Sequence, residues 1–138
     1  MAGLPTLLPG LSATVHHRVD HASTAGNLGS GAVDVLATPE LVRWMEMAAV
    51  AALLDHLPPG VTTVGSAIRV EHLAPTPVGM GVQVTATLTG VDGRRLTFEV
   101  VARDEVEDIG RASHERVLVD LQKFMERANR KRQAEAPA

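Results

Sequence analysis

The pattern of hydrophobic and polar positions is helical over residues 39–56 and alternates in the segments that follow from residue 61. A helix is predicted from Pro39 to about His56; its central residues 41–54 are apolar apart from a few positions and contain only two charged residues, Arg43 and Glu46. Thr38 suits a helix cap, Pro39 suits the first helical position because it has no N–H to lose, and Glu40 complements the positive end of the dipole. A Pro-Pro-Gly run follows and ends the pattern. The sequence therefore predicts one long helix.

Strands are predicted where apolar and polar residues alternate with a period of two. The first lies within residues 12–20, and four more follow the helix at 61–74, 81–90, 96–103 and 109–119. Residues 20–31 are rich in Gly, Ser, Thr and Asn, which indicates a mobile loop. The chain ends in a short helix with a basic tip. One strand, one long helix and four consecutive antiparallel strands favour an α+β fold in which the sheet wraps around the helix.

The alternation also assigns residues to faces. In the strand at 61–74, we expect one largely apolar face, which carries Val64, Ser66, Ile68, Val70 and His72. In the next two strands it is Val82, Val84, Ala86 and Leu88, then Leu96, Phe98, Val100 and Ala102. In the terminal helix, packing is expected of Leu121, Phe124 and Met125.

The composition describes one domain with an aliphatic core. The chain has 138 residues, of which 45% are hydrophobic and only 2% aromatic, so Val, Leu and Ala must fill the core. We expect a single domain over 1–138, with flexible ends at 1–11 and 126–138. The chain has no cysteine, which excludes disulfides, thiolate nucleophiles and thiolate metal sites.

Charge and hydropathy give no reason to expect nucleic acid or a membrane as partner. The net charge is −3, and no apolar run reaches the length of a membrane span. The first residues lack a basic segment and are interrupted by Pro5 and Pro9, unlike a signal peptide. A cytoplasmic protein is the expectation.

One carboxylate, Glu46, stands out on the long helix. It lies among apolar residues on a helix that is apolar nearly all round, as in helices buried in a core or between subunits. Such a carboxylate should be desolvated, which suits a general base or acid. An ion pair with Arg43, three residues earlier, is the simpler interpretation of the pattern alone.

His72 is a second titratable residue on an apolar face, and Thr38 precedes the helix. A single inward histidine is more often a satisfied core residue than a catalytic one, and capping alone explains Thr38. Two titratable groups that point inward from neighbouring elements are harder to dismiss, because catalytic sites are built from such pairs.

At these residues the sequence resembles the fluoroacetyl-coenzyme A thioesterase family of the hot-dog superfamily. The matching blocks are LATPELVRWMEMA, VGSAIRVEHLAPTPVGM, GRRLTFEV and IGRASHERVLVDLQKF, in order between about Val33 and Phe124. The resemblance implies a hot-dog fold, a homodimer with sites near the subunit interface, and hydrolysis of an acyl-CoA substrate without a cofactor.

The resemblance also implies the site residues. The catalytic Thr, Glu and His of the family correspond to Thr38 in LATP, Glu46 in WMEMA and His72 in VEHLAPTP. The substrate-binding glycine and arginine of the family correspond to Gly65 in VGSAI and to Arg116 in the HER motif. No metal site is implied.

The sequence departs from the family before the Thr motif. The fluoroacetyl-specific member carries phenylalanines in a lid there, whereas this chain has GSGAVDVL, with Gly29 and Ala32 where the rings would fall. Small residues cannot make the same apolar gate. We therefore expect a small acyl group other than fluoroacetyl, left unidentified by the sequence.

Other functions remain open at this stage. A non-catalytic acyl-CoA or small-ligand binding protein would fit the missing aromatic lid. A hot-dog hydratase or dehydratase would need an Asp/His pair that is not found. His16, His17 and His21 suggest a metal site only weakly, because no carboxylate cluster supports them. The basic tail, which includes Lys123 and Arg127, either meets coenzyme A phosphates or is a solvated helix end.

Overall fold

The computed structural model describes residues 5–133. Its elements are β1 Ser12–Arg18, α1 Ala25–Leu28, α2 Thr38–Leu53, β2 Val61–His72, β3 Gly81–Asp92, β4 Arg95–Asp104, β5 Asp108–Asp120 and α3 Leu121–Gln133. Residues 1–4 and 134–138, which belong to the predicted flexible ends, lie outside the described residues. Residues 126–133 of the predicted flexible tail are helical, as part of α3.

The strands form a five-stranded antiparallel sheet in the order β1-β3-β4-β5-β2. Helix α2 packs against one face of this sheet, and the core lies between them. The predicted inner faces of β3 and β4 are confirmed, since all eight side chains assigned to them are buried. The α+β class and the order of elements are those predicted. No helix within residues 5–133 is long and apolar enough to cross a membrane.

Helix α2 has the predicted extent, but its start differs from the prediction. It continues as a short 3-10 turn to His56, so the helical segment ends where expected. The residue at the N-cap position is Ala37, which gives no side-chain cap, and Thr38 is the first helical residue. The prediction that Thr38 caps the helix is therefore wrong, and its hydroxyl is free to bond elsewhere.

The two sides of α2 have different surroundings. Leu41, Met45 and Leu53 are fully buried against the sheet. On the opposite side, Val50 is 42% exposed and Leu54 69% exposed. The apolar character all round the helix thus reflects one face in the core and a second apolar face on the surface of the chain.

A β-bulge in β2 overturns the predicted face of that strand. The register with β5 shifts between Gly65 and Ala67, so that Ser66 is the extra residue. An extra residue reverses the alternation of side chains. Ile68, Val70 and His72 share a face as predicted, but before the bulge this face carries Gly65 rather than Val64. The placement of Val64 and Ser66 was wrong.

Residues 20–31, predicted to be a mobile loop, contain local structure. Asp20 and Ser23 form a capping box at a 3-10 turn, and α1 follows it. Gly29 ends α1 with a φ of 70°, a left-handed conformation that glycine adopts without strain. The segment is anchored to the stretch before α2 by the backbone bond from the Ala25 N–H to the Val35 carbonyl.

The apolar side of α3 does not pack as predicted. Leu121, Phe124 and Met125 are 48%, 38% and 45% exposed, and α3 has no buried residue. The helix extends from the end of β5, and its first residue is tied to the residue before β2 by the bond from the Leu121 N–H to the Gly60 carbonyl. Helical periodicity predicted the apolar side but not its contact with the core.

Candidate active site

Thr38 and His72 form a hydrogen-bonded pair at the start of α2. The Thr38 Oγ1 lies 2.7 Å from the His72 Nδ1. His72, the last residue of β2, lies at the edge of a cavity of about 300 Å³. Thr38 and Leu36 also line this cavity. Burial lowers the pKa of His72, and the backbone of Ala74 opposes this in part. A neutral imidazole is therefore favoured, and it can accept the hydroxyl proton.

The other nitrogen of this imidazole is unused. His72 Nε2 is buried and has no hydrogen-bond partner among the described residues. A buried polar atom without a partner costs free energy, about 1–3 kcal/mol, and a catalytic role or a bound water, ion or ligand is among the explanations for one. The Thr38–His72 pair thus has a free nitrogen available for a proton or a ligand.

Glu46 is paired, but its partner is not the one suggested by the pattern. Arg43 makes its ion pair with Glu40, at 2.6 Å, on the surface of α2. The Glu46 Oε2 lies 3.4 Å from Nη1 of Arg116, which reaches across from β5. The Glu46–Arg43 ion pair is therefore contradicted. The expectation of a desolvated carboxylate is also wrong for the single chain, because the Glu46 side chain is 44% exposed.

Arg116 is held by several contacts and is only 5% exposed. Its Nε donates to Thr63 Oγ1 at 2.9 Å, and its Nη2 donates to the Thr63 carbonyl at 3.2 Å. Burial lowers the pKa of Arg116, and the Glu46 carboxylate opposes that change. These contacts fix the plane of the guanidinium, so one edge of it faces Glu46.

Gly65 lies directly opposite this ion pair because of the bulge. A Cβ placed on Gly65 would lie 3.0 Å from the Glu46 Oε2 and 3.4 Å from the Arg116 Nη1. The absence of a side chain therefore lets both charged groups lie close against the backbone of β2.

His114 belongs to the same cluster and was missed by the sequence reasoning. It is 1% exposed, its Nε2 lies 3.1 Å from Arg116 Nη1, and its Nδ1 lies 2.8 Å from the Ala67 carbonyl. One signal could have identified it. His114 and Arg116 are two residues apart in an alternating strand, so both had to point to the same face.

An apolar groove leads to Glu46 and Arg116. It has a volume of about 550 Å³, and its other walls are formed by the exposed side of α2, including Val42, Met47 and Val50. A mostly apolar groove with one carboxylate, Glu46, and two guanidinium groups, Arg43 and Arg116, suits a ligand with an apolar chain and a polar reacting group.

The two groups of site residues are well separated along their elements in one chain. Thr38 and Glu46 are two helical turns apart, or ~12 Å along the axis at 1.5 Å per residue. Gly65 and His72 are seven residues apart on β2, or ~23 Å at 3.3 Å per residue. A single chain therefore brings together Thr38 with His72, and Glu46 with Gly65 and Arg116, as two separate groups.

The histidines considered as metal ligands do not form a cluster. His17 stacks on Trp44, with ring centroids 4.5 Å apart and an interplanar angle of 2°. Its pKa is lowered, mainly by burial and also by Arg43. Residues 5–133 contain no group of three or more His, Cys, Asp or Glu that could hold a metal ion. His17 is therefore a packing residue of the β1–α2 contact.

Comparison with known proteins gives consistent matches. The family model for fluoroacetyl-CoA-specific thioesterases matches residues 19–122. A fluoroacetyl-CoA thioesterase from Streptantibioticus cattleyicolor is 45% identical over 98 residues, which cover 71% of this chain and 70% of that protein.

The fold of this chain is shared with solved structures. A mutant of the fluoroacetyl-CoA-specific thioesterase FlK, in complex with fluoroacetate and CoA, superposes with a TM-score of 0.80 at 40% identity, covering 86% of this chain and 99% of that chain. A hot-dog-like protein from Thermanaerovibrio acidaminovorans superposes with a TM-score of 0.84 at 26% identity, covering 93% and 94%. The hot-dog fold is thereby confirmed.

Proposed function

Because the chain belongs to the fluoroacetyl-CoA-specific thioesterase family and has the hot-dog fold of thioester hydrolases, we propose that it hydrolyses a small acyl-CoA other than fluoroacetyl-CoA. Water attacks the thioester carbonyl, the C–S bond breaks, and a free acid and coenzyme A leave. The observation that carries the proposal is the Glu46–Arg116 pair facing the bare backbone of Gly65 at the end of an apolar groove. Hydrolysis of this kind needs no cofactor.

We assign the roles as follows. Glu46 supplies the carboxylate that activates the attack on the carbonyl, and Arg116 orients it. Thr38, in the first turn of α2, presents its hydroxyl in the positive field of the helix, where negative charge on the oxygen of the intermediate is stabilised. His72, neutral and accepting from Thr38 at Nδ1, donates a hydrogen bond from Nε2 to the leaving sulfur, which takes up the proton that Glu46 removed from water. Gly65 leaves room for the acyl group.

These roles require two chains, and we propose a homodimer for that reason. β2 is an edge strand of twelve residues, and the apolar side of α2 beside it is exposed. Long unpaired edges and exposed apolar surfaces are typical of contacts between copies. If β2 pairs antiparallel with its own copy about a centre near Ile68, then His72 of each chain lies beside Val64 and Gly65 of the other. Each complete site would combine Thr38 and His72 from one chain with Glu46 from the second.

Subunit complementation tests this arrangement. Thr38→Ala and Glu46→Gln homodimers should each be nearly inactive. After the two variants are mixed and exchanged, about a quarter of wild-type activity should return, since about half the dimers are mixed and each has one intact site of two. The exchange of subunits is verified by mass spectrometry. If activity does not return although mixed dimers have formed, then the two groups of residues either act within one chain or serve separate functions.

The reaction itself is tested by release of free coenzyme A from short, branched, aromatic and long acyl-CoAs. We expect a short or branched substrate to be hydrolysed fastest, and Glu46→Gln to lower its kcat about 100-fold or more, the scale of a lost catalytic base. Glu99→Gln, on the solvent face of β4, is the matched control and should leave kcat unchanged. Tight binding without turnover would favour the binding-protein alternative.

We also propose a cytoplasmic location, since acyl-CoA is formed and consumed inside cells. Fractionation of cells that express the tagged protein tests this. Recovery in a membrane or extracellular fraction would contradict it.

A further inference from the structure

His114 is a buried histidine for which the proposed reaction has no chemical task. It lies between Arg116, on its own strand, and the bulge of β2. The imidazole thus touches both features that define the group of site residues around Glu46, namely the guanidinium and the displaced backbone at Gly65–Ala67. A fully buried histidine with two hydrogen bonds has a fixed orientation. It therefore also holds its two partners, the Ala67 carbonyl and Arg116 Nη1, in place.

The two bonds of His114 determine its protonation. The Ala67 carbonyl can only accept a hydrogen bond, so Nδ1 must carry the proton. A guanidinium can only donate, so Nε2 must present its lone pair to Arg116 Nη1. The geometry therefore requires a neutral ring in the Nδ1–H form.

The charged groups that face His114 are Arg116 on β5 and Glu46 on α2, while Phe98 on β4 contributes a tilted ring at 6.2 Å. Burial is the main cause that lowers the pKa of His114, and Arg116 adds to it, whereas Glu46 and the Ala67 backbone act in the opposite direction. A proton added to Nε2 would place two donors face to face at 3.1 Å. Arg116 Nη1 would then have to turn away.

We propose that His114 is a positioning residue, which holds Arg116 Nη1 beside Glu46 and fixes the bulge that turns Gly65 toward the site. The proposal rests on the proposed function in one respect, namely that Glu46 and Arg116 serve the reaction. Neutral His114 is then required for full activity, and its protonation at a pH below the mildly acidic range disconnects Arg116 from the imidazole.

Two variants separate the two hydrogen bonds. In His114→Gln the side-chain carbonyl reaches the position of Nε2 and can accept from Arg116. In His114→Asn the amide reaches the position of Nδ1 and can donate to Ala67, but the bond to Arg116 is lost. We expect kcat to fall about 10- to 100-fold in His114→Asn with little change in KM, because displacement of a catalytic group by ~1 Å costs up to 100-fold. His114→Gln should retain most of the wild-type kcat.

The pH profile provides a readout that a purely structural role would not change. His114→Gln removes a titrating group, so the fall in kcat toward acid pH should become shallower than in the wild type. His16→Gln, at an exposed position of β1, is the matched control and should leave the profile unchanged. Wild-type kcat in both His114 variants, or equal losses in both, would overturn the proposal.

A measurement on the unmodified protein keeps the proposal testable if a variant fails to fold or if no acyl-CoA is hydrolysed. Long-range ¹H–¹⁵N correlation spectra report which imidazole nitrogen carries the proton. The His114 signal should be that of a neutral Nδ1–H ring at neutral pH and should persist into mild acid. An Nε2–H or doubly protonated ring at neutral pH would refute the assignment. An inactive protein with the expected His114 signal would instead refute the proposed function.

Discussion

The substitution Gly65→Ala tests the site at its narrowest point. The added Cβ would lie 3.0 Å from Glu46 Oε2, 3.4 Å from Arg116 Nη1 and 3.5 Å from His114 Cε1. The first distance is shorter than ordinary van der Waals contact by a few tenths of an ångström, so one neighbour has to move. Glu46 is the neighbour that can, because its carboxylate is at the end of a side chain that is 44% exposed.

The expected result is a loss of activity without a loss of stability. Gly65 has a negative φ, so alanine is compatible with its backbone and gains about 0.4–1 kcal/mol through the reduced entropy of the unfolded chain. That gain offsets the cost of moving an exposed carboxylate. A misplacement of ~1 Å costs up to 100-fold in rate, so a shift of a few tenths should cost about 10-fold in kcat.

The assay compares kcat with the midpoint of urea unfolding. Gly90→Ala is the matched control, because Gly90 is also a strand glycine with negative φ, and its added Cβ would meet only Thr97, at 3.7 Å. It should leave kcat unchanged. A Gly65→Ala enzyme with wild-type kcat would refute the reasoning, because the position of Glu46 against the backbone of Gly65 would then have no role in the reaction. A large fall in the urea midpoint of unfolding would show that the Glu46 carboxylate cannot move away from the added Cβ.

Thr38→Ala should lower kcat and reduce the free energy of unfolding by about 0.5–1.5 kcal/mol, because the bond to His72 is lost. Thr38→Ser should preserve both kcat and stability. Equal kcat values for the two variants would exclude a role for the hydroxyl. The pKa values of His72 and His114 are lowered in the folded state, so the unfolded chain binds more protons than the folded chain. The free energy of unfolding should therefore decrease as pH falls below about 6.5. A urea unfolding midpoint that stays constant as the pH is lowered through this range would contradict the lowered pKa values. Ala32→Phe places a ring at an exposed position of the segment before α2. It should raise kcat/KM for fluoroacetyl-CoA relative to kcat/KM for acetyl-CoA. An unchanged ratio of the two values would show that this position does not select the acyl group.

Much of the fold follows from the sequence because local rules agree there. The Pro-Pro-Gly run and the apolar spacing predicted α2 to the residue at which its 3-10 extension ends. The alternation in β3 and β4 gave the correct faces, because each strand has one buried side and an uninterrupted period of two. The site residues came from ordered motifs, since the pattern alone favoured an ion pair between Glu46 and Arg43.

Several features of the site were decided only by tertiary structure. The bulge at Ser66 has no clear sequence signal, yet it turns Gly65 rather than Val64 toward Glu46. Arg43 was the nearer partner in sequence, but Arg116, 70 residues later, reaches Glu46 because β5 lies beside β2 in the sheet. Thr38 bonds His72 instead of capping α2, because packing brings the end of β2 to the helix start. Sequence periodicity specifies which side of an element is buried, whereas strand order and register specify which distant groups meet there.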